Sequence, residues 1–286
     1  MEVKNKKALV FGGTSGIGLA TAKDLAAQGA NVVAISRNPD KAGEVPTGIT
    51  LRQCDVRDRE AISQLFKECA PFDILVSAAT GGDRAIGSFL EMDMEGYQAS
   101  FDKLWGYANV VRFGTEHMSA NGTIVLVSGT PARRPKPGQV SLSSVGSAIE
   151  AFARTVASEI APRRLNVVSP GFIDTPMVAL KGKEREELYA KNTATHPIPR
   201  AGTAEEVSAG QMCGESAALT KARRASTVAC AADGPAQVYV LGAIALAALP
   251  AELKLELAEA RRQLLLLELI VADNLAERKP RLGKLL

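Results

Sequence analysis

A short segment near the start of the chain has the glycine spacing of a phosphate-binding turn. Residues 6–18 read KKALVFGGTSGIG, so that Gly12, Gly16 and Gly18 follow an apolar run. In such a turn the first glycine permits a tight bend, the second lets the backbone approach a pyrophosphate, and the third allows close packing of the next helix. The start of that helix offers unpaired N–H groups and a positive dipole. The segment therefore predicts a dinucleotide-binding site.

The residues that end the next apolar run bear on which dinucleotide is bound. This run ends in Ser36 and Arg37. A carboxylate at position 36 would bind the ribose 2′-hydroxyl of NAD, whereas Arg37 offers a planar fork for a 2′-phosphate. The alternative is that Arg37 is a solvated charge at the end of a strand. We expect NADP(H) as the cofactor and consider NAD(H) the weaker choice.

Short apolar runs alternate with helical periods along most of the chain, and this order must position the glycine turn. The predicted strands are residues 7–11, 31–36, 49–54, 73–77, 123–128, 164–168 and, more weakly, 226–232. The predicted helices are residues 16–28, 58–69, 95–118, 140–161 and 203–220. Continuous apolar strands are typical of parallel sheets that are covered on both faces. The pattern predicts an α/β fold with a doubly wound, Rossmann-like parallel sheet.

The last fifty residues differ in composition from the rest. An alanine-rich apolar stretch at 238–249 is followed by Pro250 and by a charged, leucine-rich helical stretch at 251–278. We interpret residues 1–236 as a dinucleotide-binding domain and residues 237–286 as a helical C-terminal extension. The extension could pack on the domain or on a second subunit, which we favour, or it could bind a membrane surface.

Composition excludes several other classes of protein. The chain has 286 residues, of which 46% are hydrophobic and 23% charged, as in ordinary globular proteins. A net charge of +3 gives no indication of a nucleic-acid partner. Four cysteines without CxxC spacing and two histidines argue against a metal site or a disulfide. With no run of 18–20 apolar residues and no apolar signal region, we expect no membrane span and a cytoplasmic location.

Several segments resemble short-chain dehydrogenases/reductases. The glycine turn resembles their TGxxxGxG motif, residues 75–80 (LVSAAT) match LVNNAG in register, and residues 169–175 (SPGFIDT) resemble the PGxxxT loop that holds the nicotinamide carboxamide. Asp55-Val56 resembles the adenine-contacting pair, and Asp233-Gly234 lies where the terminal DGG of the family falls. The resemblance covers about residues 5–235.

Cofactor-binding candidates follow from the turn, the end of the second strand and these motifs. They are Gly12, Thr14, Ser15, Gly16, Ile17, Gly18, Arg37, Asp55, Val56, Ser77, Ala78, Ala79, Pro170, Gly171, Ile173 and Thr175.

The reactive residues of the family have no counterpart of the same type in this chain. The family uses a tyrosine as acid/base, with a lysine four residues later on the same helix face. Residues 146–152 (GSAIEAF) correspond to the family's KAALxxF, and this register puts Leu142 at the tyrosine position and Gly146 at the lysine position. The resemblance therefore implies an atypical member that lacks the YxxxK pair.

The same register changes the other two positions. The family's serine falls on Gly129, with Ser128 one residue earlier, and its relay asparagine falls on Lys103. We expect Lys103 to project toward the space left at Gly146, where it could hold ribose hydroxyls or a substrate oxygen with a lowered pKa. Alternatively, Lys103 extends to solvent at a helix end. Lys103 and Ser128 are the predicted catalytic residues.

The sequence leaves two functions open. One is an atypical NADP(H)-dependent oxidoreductase that reduces a carbonyl or oxidises an alcohol on a small molecule. The other is a catalytically silent NADP(H)-binding subunit or redox sensor that partners another protein. The resemblance further implies a homodimer or homotetramer, and a substrate lid between Pro176 and Pro199.

Overall fold

A parallel β-sheet forms the centre of the molecule. The computed structural model describes residues 3–80, 82, 84–194, 196, 198–208 and 227–228. The strands of the sheet are β1 (Lys7–Phe11), β2 (Asn31–Ser36), β3 (Ile49–Gln53), β4 (Phe72–Ser77), β5 (Met118–Val127), β6 (Arg164–Val168) and β9 (Thr227–Val228). Their order is β3-β2-β1-β4-β5-β6-β9, and every neighbouring pair is parallel. The predicted doubly wound α/β fold is confirmed.

The strand order reverses between β1 and β4. In open sheets of this kind, ligands bind in the crevice outside the carboxyl ends of the strands at such a reversal. The glycine turn follows β1, and the segment 78–80 follows β4. The topology thus brings two of the sequence motifs to one edge of the sheet.

Seven α-helices lie among the described residues. They are α1 (Gly16–Ala27), α2 (Arg59–Cys69), α3 (Met94–Ala99), α4 (Asp102–Gly114), α5 (Val140–Glu159), α6 (Gly182–Thr193) and α7 (Ala204–Ser208). Two further short strands, β7 (Ile173–Asp174) and β8 (Gly202–Thr203), pair with each other. The helix expected over 203–220 begins as α7, and its remainder lies outside the described residues.

The single helix predicted over residues 95–118 is wrong in two respects: it is divided into α3 and α4, and α4 ends at Gly114, before β5 begins at Met118. The division falls at Ser100, whose hydroxyl donates to the Gly96 carbonyl at 2.8 Å and accepts from the Ala85 N–H at 3.0 Å. A serine that bonds back to its own helix bends it. The sequence period alone could not show that a loop would use this hydroxyl.

Apolar cores lie on both faces of the sheet. On one face, Phe66 of α2 lies between Phe11 and Phe72, with ring centroids 5.6 Å and 5.5 Å apart. Cys54 and Cys69 are buried on this face as free thiols, and burial raises the pKa of Cys54 to about 11. These two cysteines therefore behave as small apolar side chains. The other two cysteines, Cys213 and Cys230, lie outside the described residues.

Residues 237–286 also lie outside the described residues, so the predicted helical extension stays a prediction. The motif at 233–234 is outside them as well. In the part of the chain that the structure describes, no helix is both long enough and apolar enough to cross a membrane.

Candidate cofactor and substrate cleft

A cleft of about 560 Å³ opens at the carboxyl edge of the sheet. Its volume is in the range of small-molecule sites in proteins. Both predicted catalytic residues and all predicted cofactor-binding residues except Ser77 line this one cleft. Segments that are far apart in sequence thus meet where the strand order reverses.

The glycine turn is closely packed. Gly12 has φ +73°, and a Cβ placed on it would lie 2.7 Å from the Ala79 backbone nitrogen. A Cβ on Gly18 would lie 2.1 Å from the Gly12 carbonyl oxygen. A side chain on Gly12 would therefore push the end of β4 away from the turn, and a side chain on Gly18 would push α1 away from it.

The start of α1 faces the cleft with its backbone donors. Gly16, Ile17 and Gly18 form its first turn and line the cleft. The N-cap residue Ser15 makes no side-chain capping bond, and the first turn contains no acidic residue. This arrangement leaves N–H groups and the positive end of the helix dipole for an anionic group such as a pyrophosphate.

Ser77 lies below the cleft. Its side chain is fully buried at the end of β4, and its Oγ has no hydrogen-bond partner among the described residues. The next residue, Ala78, reaches the cleft and donates its N–H to the Phe11 carbonyl at 2.9 Å. Successive side chains of a strand point to opposite faces, so a motif match alone does not show which of its residues face the cleft.

One end of the cleft, beyond β2, is rich in positive charge. Arg37 lines the cleft there as predicted, and so do Ser36 and Lys41, which the sequence analysis missed. The carboxylate of Asp55 is paired with Arg57 at 3.1 Å. Although burial acts to raise the pKa of Asp55, hydrogen bonds from Arg57 outweigh it and hold the pKa below its usual value.

Lys103 lies at the other end of the cleft, beyond β5. Its Nζ makes a long hydrogen bond of 3.5 Å to the Ser128 carbonyl and lies 5.5 Å from the centre of the Tyr107 ring. Burial, together with the positive charge of Arg84, lowers the pKa of Lys103 to about 7. An amine of this kind can give or accept a proton near neutral pH.

Ser128 is buried and already engaged. Its Oγ donates to the Gly146 carbonyl at 3.1 Å, and its N–H donates to the Val168 carbonyl at 2.8 Å. In the structure, Ser128 therefore joins β5 to α5 and β6 and places its own carbonyl beside Lys103.

The first two turns of α5 form one wall of the cleft. Leu142 and Gly146, four residues apart, both line it, in agreement with one helix face. The expectation of open space at Gly146 is wrong, because a Cβ placed there would lie 2.9 Å from Ala132 Cβ and 3.1 Å from Ser128 Oγ. The backbone of residues 129–132 approaches the helix where the family's lysine would extend.

The described tyrosines point elsewhere, and none of them lines the cleft. Tyr97 donates to Ser144 Oγ at 3.1 Å, and Tyr189 donates to Asp174 at 2.8 Å. Tyr107 is fully buried and donates to the Val127 carbonyl at 3.0 Å. The remaining tyrosine, at position 239, lies outside the described residues.

Two further residues in the cleft were missed by the sequence analysis. Arg84 lies in the loop after β4, and His196 follows α6; both line the cleft. Neither belongs to a motif, and the signal for Arg84 was only its place a few residues beyond the segment 75–80. Charge in a loop is ordinarily solvated, so nothing in the sequence singled out Arg84.

Helix α6 reaches the cleft at Asn192 and is fastened to the loop that follows β6. Tyr189 donates to Asp174, whose other partner is Arg185, and the Tyr189 ring packs edge-on against Phe172 at 5.4 Å. Hydrogen bonds from Arg185 and Tyr189 hold the pKa of Asp174 below its usual value. Asn192 of α6 lines the cleft.

Comparisons with known proteins agree with this geometry. The sequence profile of a family described as enoyl-(acyl carrier protein) reductase matches residues 12–213. The 3-oxoacyl-(acyl-carrier-protein) reductase of Thermotoga maritima is 32% identical, over 72% of this chain and 89% of its own. The 2,3-dihydro-2,3-dihydroxybenzoate dehydrogenase of Bacillus subtilis is 31% identical, over 61% of this chain and 72% of its own.

Solved structures show the same likeness. The aldohexose dehydrogenase of Thermoplasma acidophilum, in ligand-free form, is 26% identical with a TM-score of 0.65, over 72% of this chain and 85% of that one. A short-chain dehydrogenase/reductase family protein is 32% identical with a TM-score of 0.64, over 73% of this chain and 88% of that one.

The fold, the cleft and these matches together define an oxidoreductase family with a Rossmann fold that uses nicotinamide cofactors. The chain belongs to the short-chain dehydrogenases/reductases.

Proposed function

We propose that the protein is an NADP(H)-dependent oxidoreductase that reduces a carbonyl, or oxidises an alcohol, with Lys103 in place of the family's tyrosine. The observation that carries this proposal is the position of Lys103 Nζ in the cleft, beside the Ser128 carbonyl and with a pKa of about 7. In this reading the protein is an atypical member that keeps the cofactor site and changes the proton donor.

The residues of the cleft fit such a cofactor. The first turn of α1 would hold the pyrophosphate, because its backbone N–H groups line the cleft and neither a capping side chain nor an acidic residue competes for them. Arg37 and Lys41 would hold a 2′-phosphate, and the one acidic residue among the described lining residues, Asp55, is paired with Arg57. This distribution of charge supports NADP(H) over NAD(H).

The loop after β6 and Ser77 would have different roles in the proposal. Pro170, Gly171, Ile173 and Thr175 would hold the nicotinamide, as the PGxxxT loop does in the family. Ser77, which lies below the cleft, would support the end of β4 without touching the cofactor.

Each protein group would make one contribution to the reaction. A reduced nicotinamide held by the loop after β6 would supply a hydride, which would form the C–H bond at the carbonyl carbon of the substrate. The Lys103 ammonium gives a proton to the oxygen that becomes the alcohol, and the lysine is left as a neutral amine. In the direction of alcohol oxidation the neutral amine takes that proton. The Ser128 carbonyl orients the amine by accepting its hydrogen bond.

A second candidate is a catalytically silent NADP(H)-binding subunit or redox sensor. It is favoured by one observation, namely that Leu142 lines the cleft where the family carries its phenol. In that case Lys103 would only help to hold the cofactor.

Titration with NADPH and NADH tests the cofactor assignment. We expect NADPH to bind more tightly than NADH, and Arg37→Ala to weaken NADPH binding by about tenfold or more while leaving NADH unchanged, because a charge-assisted hydrogen bond is lost. Arg154→Ala, on the exposed side of α5, is the matched control. Equal affinity of the two coenzymes, unaffected by Arg37→Ala, would contradict the assignment.

The remaining features of the proposal concern the whole chain. We propose a cytoplasmic homodimer or homotetramer in which residues 1–236 form the cofactor-binding domain and residues 237–286 a helical extension. Association is supported by Trp105 of α4, whose side chain is 59% exposed. Light scattering of the full chain tests it, and a monomer at all concentrations would count against it.

A further inference from the structure

The cleft holds a second group of cations that the cofactor assignment leaves unused. Arg84 and Lys103 lie at the end beyond β5, and the acidic residue Asp55, which is paired with Arg57, is the one carboxylate among the described lining residues. The end that would receive the substrate therefore carries positive charge, with no carboxylate among the described lining residues to balance it.

Arg84 is held in place by its neighbour. The Ala85 N–H donates to Ser100 Oγ at 3.0 Å, and the Ala85 carbonyl accepts a hydrogen bond from the Ser141 hydroxyl. These contacts fasten the loop between the start of α4 and the first turn of α5. Arg84 is consequently held beside the start of α5, whose Leu142 also lines the cleft, whereas Arg37 follows β2 on the far side of β1.

The guanidinium of Arg84 makes no hydrogen bond or ion pair with the described residues, although its side chain is partly buried. Burial lowers the pKa of Arg84, and the charge of Arg84 contributes to lowering the pKa of Lys103. Two cations that repel each other in a partly dehydrated cleft are costly, and an anion between them removes that cost. A guanidinium also presents a planar fork that matches carboxylate and phosphate oxygens.

We propose that Arg84 binds an anionic group of the substrate, so that the substrates are carbonyl or alcohol compounds that carry a carboxylate or phosphate group beside the reacting carbon. The inference rests on the proposed oxidoreductase function and specifies its substrate class. Arg84 contacts the anionic group, and Lys103 contacts the oxygen that is protonated. The negative charge of the substrate also keeps Lys103 in its ammonium form, which is the form that donates a proton.

Calorimetric titration of the full-length protein tests this assignment. The protein is first saturated with NADP⁺, so that the cofactor's own phosphates occupy the turn, and is then titrated with malonate, inorganic phosphate or the neutral analogue malonamide. Arg84→Ala is compared with Arg154→Ala, which removes the same charge from the exposed face of α5. Thermal unfolding of each variant shows that it is folded.

We expect malonate or phosphate to bind, malonamide not to bind, and Arg84→Ala to weaken anion binding by about tenfold or more with unchanged NADP⁺ affinity. Preference for malonate would indicate a carboxylate substrate, and preference for phosphate a phosphorylated one. The control variant should bind like the wild type.

The inference is overturned if neither anion binds to the NADP⁺ complex, or if anion binding is the same in Arg84→Ala. It is also overturned if Arg84→Ala weakens NADP⁺ instead, because Arg84 would then belong to the cofactor site. Absence of NADP⁺ binding, with anion binding that still depends on Arg84, would refute the proposed function and leave the anion site standing.

Discussion

In the proposed reaction, the protonation state of Lys103 determines what this cleft can do. Its pKa of about 7 has two causes, burial and the charge of Arg84, and both come from the fold. The motif register predicted that Lys103 reaches the cleft, because the helix that carries Lys103 has a fixed place relative to the strands on either side. It could not predict Arg84, since that residue belongs to no motif and reaches the cleft only because Ser100 and Ser141 fasten its loop.

The pH dependence of turnover tests the role of Lys103. The ammonium of the free protein is present below a pH of about 7 and is lost above it, so kcat/KM for carbonyl reduction, which reports the groups of the free protein, should fall about tenfold per pH unit above that value. Alcohol oxidation needs the neutral amine and should rise through the same range. Steady-state rates in both directions, measured from pH 5.5 to 9.5, check this expectation.

Lys103→Arg is the control for the pH profile, because a guanidinium stays protonated throughout this range. The decline in reduction above pH 7 should therefore disappear in Lys103→Arg. If Lys103→Arg showed the same decline, the decline would have to come from the titration of a group other than Lys103.

The packing at Gly146 gives a prediction about restoring the family's residues. Gly146→Lys should lower the free energy of unfolding by about 1–3 kcal/mol, because its Cβ would lie 2.9 Å from Ala132 Cβ. Gly129→Ser should be tolerated, because the nearest atom to a Cβ there is Pro131 Cδ at 3.5 Å. Urea unfolding of both variants measures the difference, and equal stability would mean that residues 129–132 yield freely.

At the level of elements, the sequence predicted β1 to β4 and β6 to within a residue, most of them because continuous apolar runs mark strands that are buried on both faces. It placed the start of β5 five residues too late, because residues 119–122 (SANG) carry no apolar run. The division between α3 and α4 could not be predicted, since it depends on Ser100 bonding to a loop that is distant in sequence. The lid between Pro176 and Pro199 was expected from the resemblance. The contacts of Arg185 and Tyr189 with Asp174, which attach α6, could be recognised only in the folded structure.

That attachment makes α6 testable as a lid. Asp174→Ala removes the acceptor shared by Arg185 and Tyr189, so α6 should open more often and NADPH should dissociate several times faster. Stopped-flow displacement of NADPH measures the rate. Glu187→Ala, which breaks only an exposed pair with Lys183 on the same helix, should leave it unchanged. Equal rates in the two variants would show that this contact does not hold the lid.

Over the whole molecule, charge is distributed so that one cleft carries two separate positive ends. The net charge of +3 gives no hint of this, because composition averages over the surface. The topology creates the pattern by bringing the ends of β2 and β5 to the same edge of the sheet, on opposite sides of the strand reversal. Sequence motifs predicted the proposed cofactor end, whereas the proposed substrate end depends on the packing of loops.

The central claim is that Lys103 supplies the proton for hydride transfer from NADPH. Single-turnover oxidation of bound NADPH, followed by absorbance with a panel of carbonyl compounds that includes oxo acids and phosphorylated ketones, tests it most directly. We predict oxidation by the wild type on at least one compound, and a rate about 10²–10⁴ lower in Lys103→Met with unchanged NADPH affinity. Bound NADPH that no compound oxidises, or an equal rate in Lys103→Met, would contradict the account.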